Sequence, residues 1–310
     1  MKNVLYILIG MTFASCEYEV TPKLAELANL MVVDAWLNNK VERQVINITR
    51  SQPYFDNSKP VKIPDLEVSL IDLTDGTVFY FEEGPDHYYW EPTDEGLGQI
   101  GHSYRLLVES AEETFEAIAS LNRTPDIDSI IYEYNTPNFL LNEVHYTVQF
   151  YATDPKGPGD CYWIKAWKNG QFLGQPGELN MAYDASVSPG QPIDGQVFTY
   201  PIRFGFINPY TDDETREQTS PYRIGDSLYV EVHSIDRAGY DFLYNLYFQI
   251  NRPGGFGELF SSPLSNVSTN IQSTDPNSTT AVAGFFNISA VRGQGLKLSQ
   301  EVADQAKEKH

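Results

Sequence analysis

From residue 30 onward, apolar and polar residues alternate with a period of two, the pattern of half-buried β-strands. Met31-Val32-Val33-Asp34-Ala35-Trp36-Leu37 reads as a strand, Asn38-Asn39 as a turn, and Val45-Ile46-Asn47-Ile48-Thr49 as the returning strand of a hairpin. Leu66 to Asp72 alternates cleanly, Thr74-Asp75-Gly76 turns it, and Val78-Phe79-Tyr80-Phe81 runs back. Tyr88-Tyr89-Trp90, Ser103 to Val108 and Glu116 to Ser120 extend the series. Thr124-Pro125-Asp126-Ile127-Asp128 interrupts it with proline and polar residues, which marks a domain boundary.

Strands resume at Ile130 to Tyr134, Glu143 to Tyr151 and Tyr162 to Trp167, the last entering Lys168-Asn169-Gly170, a hairpin-turn signal. Gln196 to Tyr200, Ser227 to Ser234 and Ala281 to Val291 are further predicted strands. One segment departs from this rhythm. Gly239 to Ile250 contains no turn signal and sets Leu243, Leu246 and Ile250 at helical spacing, which predicts a helix packed on the second sheet. Asn251-Arg252-Pro253-Gly254-Gly255 ends it. The predicted architecture is mainly β. A sandwich with immunoglobulin- or transthyretin-like strand spacing spans residues 30–124, a β-rich domain with its helix spans 125–299, and residues 300–310 form a disordered, charged tail.

Composition narrows the functional classes. Hydrophobic residues make up 41% of the 310, enough for real cores. Asp plus Glu number 42 against 21 Lys plus Arg, a net charge of −21, which disfavours nucleic acid and anionic headgroups. The first residues supply the membrane link instead. Lys2, the short apolar run Val4 to Met11, and Phe13-Ala14-Ser15-Cys16 have the order of a bacterial lipoprotein signal. The run is well short of the ~20 apolar residues a spanning helix needs. Residues 1–15 are thus expected to be a signal peptide and 16–29 a tether, with Cys16 carrying acyl chains such as palmitate. An ordinary secretory signal would favour an A-x-A-like site, and none precedes a suitable cut. Glu17 and Glu19 place acid next to the lipid, a candidate signal for display at the cell surface; the alternative is a merely acidic tether. Cys161, the other of the two cysteines, stands alone at the start of an apolar strand and reads as a buried structural thiol.

Chemical signatures are sparse. H-E-x-x-H, G-x-S-x-G and G-x-x-x-x-G-K-[ST] are all absent, and the five histidines have no metal-ligand spacing. The chain therefore does not read as an enzyme, although paired carboxylates of a glycan hydrolase would leave no trace in sequence. Asp126 with Asp128, Asp154 with Asp160, and Asp212-Asp213-Glu214 invite calcium, but none has the EF-hand loop pattern, and solvated loop charge is the default. No cofactor beyond the lipid is expected. Aromatics make up 13% of the chain, and in strands they read as core or cross-strand pairs. Those in polar loops are candidate binding residues: Tyr54 and Phe55, Tyr210 with Asp212, Asp213 and Tyr222, and Phe256. The competing role for each is to plug the open end of a sandwich. The loop from Asn208 to Tyr222 is so acidic that it is expected to face solvent or a partner.

Several of these segments together resemble the Bacteroidota lipoproteins grouped as domain of unknown function 4249. They are Ser15-Cys16, Leu30 to Leu37, Ser51-Gln52-Pro53-Tyr54-Phe55-Asp56-Asn57, Gly225 to Val232, and Ser234-Ile235-Asp236 leading into Tyr240-Asp241-Phe242. Asn266 to Ile271 and Gly284 to Ala290 complete the resemblance. It implies an outer-membrane lipoprotein that accompanies a TonB-dependent receptor and contributes to ligand capture or gating. The ligand class, whether small molecule, peptide or glycan, is left open. The rival readings are a structural or adhesion lipoprotein and a cryptic glycan hydrolase.

Overall fold

The computed structural model describes residues 30–53, 56, 58–137, 143–174, 179–190, 193–208, 222–252 and 265–309. The mainly-β reading holds. In chain order the strands are β1 (Met31–Asn38), β2 (Gln44–Arg50), β3 (Glu67–Asp72), β4 (Val78–Glu83), β5 (Tyr88–Trp90), β6 (Ser103–Glu109), β7 (Thr114–Ser120), β8 (Ile127–Asn135), β9 (His145–Ala152), β10 (Cys161–Lys168), β11 (Gln171–Phe172) and β12 (Asn180–Tyr183). The short helix α1 (Tyr200–Phe204), β13 (Ser227–Ile235), α2 (Arg237–Ile250), β14 (Gln272–Ser273), β15 (Val282–Ser289), β16 (Val291–Lys297) and α3 (Gln300–Glu308) follow.

The first sheet has nine strands in the order β14-β7-β6-β3-β4-β5-β2-β1-β15. Instead of two opposed sheets, these strands form one continuous hydrogen-bonded order, and it curls until β15 packs beside β7. Val33, Ala35 and Leu37 of β1 point into the enclosed core with Ile46, Ile48, Leu70, Leu106, Phe286 and Ile288. β14 and β15 come from residues that the alternation assigns to the second domain. β15 pairs with β1 in parallel, Met31 opposite Val282 through Asn38 opposite Ser289. Gly284 makes that approach feasible. Its φ is 96°, and a Cβ there would collide with the Val33 carbonyl.

The second sheet runs β11-β10-β13-β16, with β12 also on β10. Tyr162, Ile164, Ala166, Leu228, Val230 and Val232 form its inner face and meet Ile130, Tyr132, Val148 and Phe150 of the β8–β9 hairpin. At the β10–β11 turn both Asn169 and Gly170 have positive φ, as a type I′ hairpin requires. Asp236 caps α2, its carboxylate accepting from the Gly239 N–H at 2.6 Å, so the helix begins slightly before the predicted Gly239.

Two segments differ from expectation. Residues 196–200 form only a bridge from Val197 to Thr153, and then α1 starts, because Pro201 at its first turn lacks an N–H for a ladder. The tail is ordered: Ser299 caps α3, accepting from the Val302 N–H, and Ala303 and Ala306 are buried against the second core. Only one face of this short charged helix is apolar, so its composition resembles that of a solvated tail.

Candidate functional site

The register of the second sheet places chemistry on its outer face. Trp163 pairs with His233, Lys165 with Glu231 and Trp167 with Tyr229. Because side chains alternate along a strand, all six lie on the face opposite the core. β16 adds Gly293 opposite Glu231 and Gly295 opposite Tyr229.

One end of this face is covered. Trp36, projecting from β1 away from the first core, meets Trp163 edge to face with ring centroids 5.1 Å apart. Phe285 stacks on Trp36 at 5.6 Å, and Phe242 of α2 packs on Phe285 at 4.6 Å. This aromatic cluster joins the two sheets. The other end is open. Trp167 contacts Phe172 at 5.3 Å and Tyr229 at 5.6 Å between ring centroids. Phe172 is 46% exposed and Tyr229 40%. The Tyr229 ring lies across β16, where a Cβ at position 293 would collide with its hydroxyl.

A polar network separates the two ends. The buried Glu231 carboxylate accepts from Lys40 Nζ at 2.7 Å, from the Tyr229 hydroxyl at 3.1 Å and from His233 Nε2 at 2.8 Å. Burial alone would raise the pKa of Glu231, but the His233 and Lys40 contacts outweigh it and hold the group down at about 2. Burial, aided by the charge on Lys165, pushes His233 down to about 4, so at neutral pH it donates as a neutral imidazole. The Lys165 ammonium sits 4.0 Å from the centroid of the Trp163 ring, and burial lowers its pKa to about 8. Lys40 also pairs with Glu42 at 3.0 Å. A carboxylate held ionised by three donors offers no proton at neutral pH, so Glu231 is not a general acid. The arrangement suits binding: exposed rings beside fixed donors and acceptors.

Two groups of side chains have oxygen or nitrogen atoms close enough to share a cation. In one, Asp154, Asp184 and Asp194 bring a carboxylate oxygen each within 4.8 Å of the others. Tyr162 donates to Asp154 at 2.7 Å, the Gly159 N–H to Asp184 at 2.7 Å and the Gly157 N–H to Asp194 at 2.9 Å. Burial, then the charges of Asp160 and Asp184, raise the pKa of Asp154. Such an all-oxygen set has the chemistry of a calcium ligand group. The expected partner Asp160 is not in it; Arg123 binds Asp160 at 2.6 Å instead. The other group is Asp72, Asp75 and His102, where His102 Nδ1 lies 2.7 Å from Asp72. Asp126 pairs with Arg292, and Asp128 accepts from the Thr153 hydroxyl.

Of the residues singled out in the sequence, Cys16, Glu17, Glu19, Tyr54, Phe55, Tyr210, Asp212, Asp213 and Phe256 lie outside the described residues, as does Glu214. Tyr222 requires correction. It is fully buried in the second core, its hydroxyl donates to the Ile207 carbonyl at 2.8 Å, and its backbone bridges to Tyr146. It is therefore no contact residue. Cys161 is buried as expected, and burial pushes its thiol up to about 12, which makes it a poor nucleophile. Trp167, Phe172 and Tyr229 did not stand out in the sequence, where strand aromatics read as core. The available signal was the matched alternation Trp163-x-Lys165-x-Trp167 and Tyr229-x-Glu231-x-His233.

The chain is thus a mainly-β protein in which two sheets meet at an aromatic junction beside an open ring-bearing face. It belongs to the family described as a domain of unknown function (DUF4249), which matches residues 17–294. No curated protein shows significant similarity to the chain.

Proposed function

We propose that this protein is a lipid-anchored protein of the outer membrane, displayed at the cell surface, that assists a TonB-dependent receptor by capturing ligand or gating its entry. The observation that carries the reading is the N-terminal order of Lys2, a short apolar run and Ala14-Ser15-Cys16. Among the described residues no helix is long and apolar enough to cross a membrane, so a covalent lipid on Cys16 is the anchor in this reading. Glu17 and Glu19 act as the export signal. The open Trp167–Phe172–Tyr229 face supports a binding role over a catalytic one.

Two experiments test it. Metabolic labelling with a palmitate analogue should mark the parent and not Cys16→Ala, and the variant should leave the membrane fraction. Retention of Cys16→Ala in membranes after a high-salt wash would defeat the anchor. Purification of a tagged chain in mild detergent should recover a β-barrel receptor; repeated failure to recover one defeats the accessory role.

A further inference from the structure

We propose that the open half of the second sheet's outer face is a binding site for a neutral saccharide chain, with Trp167, Phe172 and Tyr229 as its stacking surface. The inference deepens the capture role proposed above, on which it rests for its biological setting, by naming the class of ligand.

Three observations carry it. First, the rings are exposed yet fixed. Trp167 is wedged between Phe172 and Tyr229, and a tight Asn169-Gly170 turn sets Phe172 back beside it. Tyr229 lies on the backbone of Gly293 and Gly295, and its hydroxyl is tied to Glu231. Glycines at 293 and 295 leave room for that ring, and larger residues would displace it. A surface ordered before the ligand arrives loses little conformational freedom on binding.

Second, the local charge is balanced. The whole chain carries −21, but the groups bordering the rings are Lys40, Lys165, Glu42 and Glu231, two of each sign. A site for a strongly anionic or cationic ligand would show an excess of the opposite charge. A balanced border suits a neutral molecule with many hydroxyls, each of which both donates and accepts.

Third, the donors and acceptors sit beside the rings and not above them. Lys165 rests on the covered Trp163 ring and makes no ion pair within 4.0 Å, so its ammonium keeps donor capacity. Glu42 is half-exposed and touches only Lys40 and Asn38 among the described residues. A sugar ring matches this layout: its C–H face lies on an aromatic ring while its equatorial hydroxyls reach sideways to the charged groups.

The test uses the full-length protein in a detergent without a sugar headgroup. Its migration is followed in native gels containing neutral polysaccharides (an α-glucan, a β-1,3-glucan, a xylan and a mannan), with polygalacturonate as the anionic control. Calorimetry with the matching hexasaccharide follows any retardation. At least one neutral glycan should retard the protein and polygalacturonate should not. Trp167→Ala and Phe172→Ala should each weaken binding by about tenfold or more, as truncation of a central aromatic contact does. Phe172 lies on a two-residue rim strand, so its variant keeps the fold; a thermal melt verifies this. Retardation by none of the neutral glycans overturns the proposal, and so does binding that survives both substitutions in folded protein. Loss of dimerisation in Phe172→Ala, seen by light scattering without glycan binding, would assign the face to a second copy of the chain and also overturn it. Receptor co-purification is measured in parallel. Glycan binding without receptor sustains the site and removes the accessory role; receptor loss in Trp167→Ala without glycan binding does the reverse.

Discussion

Trp36 and Trp163 meet edge to face across the junction of the two sheets, their ring centroids 5.1 Å apart. Trp36 belongs to a strand whose other side chains, Val33, Ala35 and Leu37, fill the first core. One strand therefore serves the core with one face and the junction with the other. Trp36→Ala should cost about 2–3 kcal/mol, below the value for a fully buried indole because Trp36 is only partly buried. Trp36→Phe should recover much of this. Urea denaturation read by circular dichroism measures both; an unchanged midpoint in Trp36→Ala would mean that the sheets hold together by other contacts.

The buried His233 should make stability sensitive to acid. It faces Glu231 on its own strand, Lys165 on β10 and Lys40 from the β1–β2 turn. Its folded pKa, about 4, lies below the ordinary 6.5. Between those values the unfolded chain binds a proton that the folded chain refuses, so stability falls as pH drops from 6.5 to 4. The slope from this one group is at most about 1.4 kcal/mol per pH unit. Glu231 acts in the same direction lower down: its stabilisation is present above the ordinary 4.5 and is lost as pH falls toward about 2. His233→Gln should flatten the profile between pH 6.5 and 4.5. Denaturation midpoints of parent and variant across that range decide it; parallel profiles would reject the assignment to His233.

Gly284→Ala should be severely destabilising. Its φ of 96° disfavours any side chain, and the added Cβ meets the Val33 carbonyl. Loss of the β1–β15 pairing should appear as low soluble yield and a melt lowered by ~10 °C or more. Gly76→Ala is the contrast, because φ is also positive there but nothing lies within 4 Å. Equal behaviour of the two variants would show that backbone strain, not the close approach to β1, sets the cost.

The C-terminal helix should contribute to the fold. Ala303→Glu places a charge where no solvent reaches and should cost about 3 kcal/mol or more. Gln305→Glu, on the exposed side of the same helix, should change stability by no more than ~0.5 kcal/mol. If Ala303→Glu melts like its parent, the helix does not pack in solution.

What the sequence revealed was mostly local. The Asn169-Gly170 turn, the β1–β2 hairpin and α2 each depend on residues close together in the chain, and each formed where the pattern placed it. β15 beside β1 was hidden because alternation reports which face of a strand is buried and not which strand lies next to it. Tyr222 misled for a related reason. Its acidic neighbours resemble those of a loop, but its burial is decided by Tyr146 and Ile207, far away in sequence. The open aromatic face was invisible for the opposite reason: in a sequence, rings in a strand look the same whether a layer covers them or not. Trp163 is covered by Trp36, and Trp167, four residues on, lies beside the exposed Phe172 and Tyr229.

The parallel pairing of β1 with β15 also sets the timing of folding. β1 is among the first parts of the ordered chain to be synthesised, and its parallel partner is among the last. Until residues 282–289 emerge, β1 has only β2 beside it and presents a bare row of backbone N–H and C=O groups on the other side. Long-range pairings of this kind slow folding and prolong the period in which another chain can bind the exposed edge. A ribosome stalled before residue 282, or a frameshift there, would therefore release a product prone to aggregate, not a smaller stable protein.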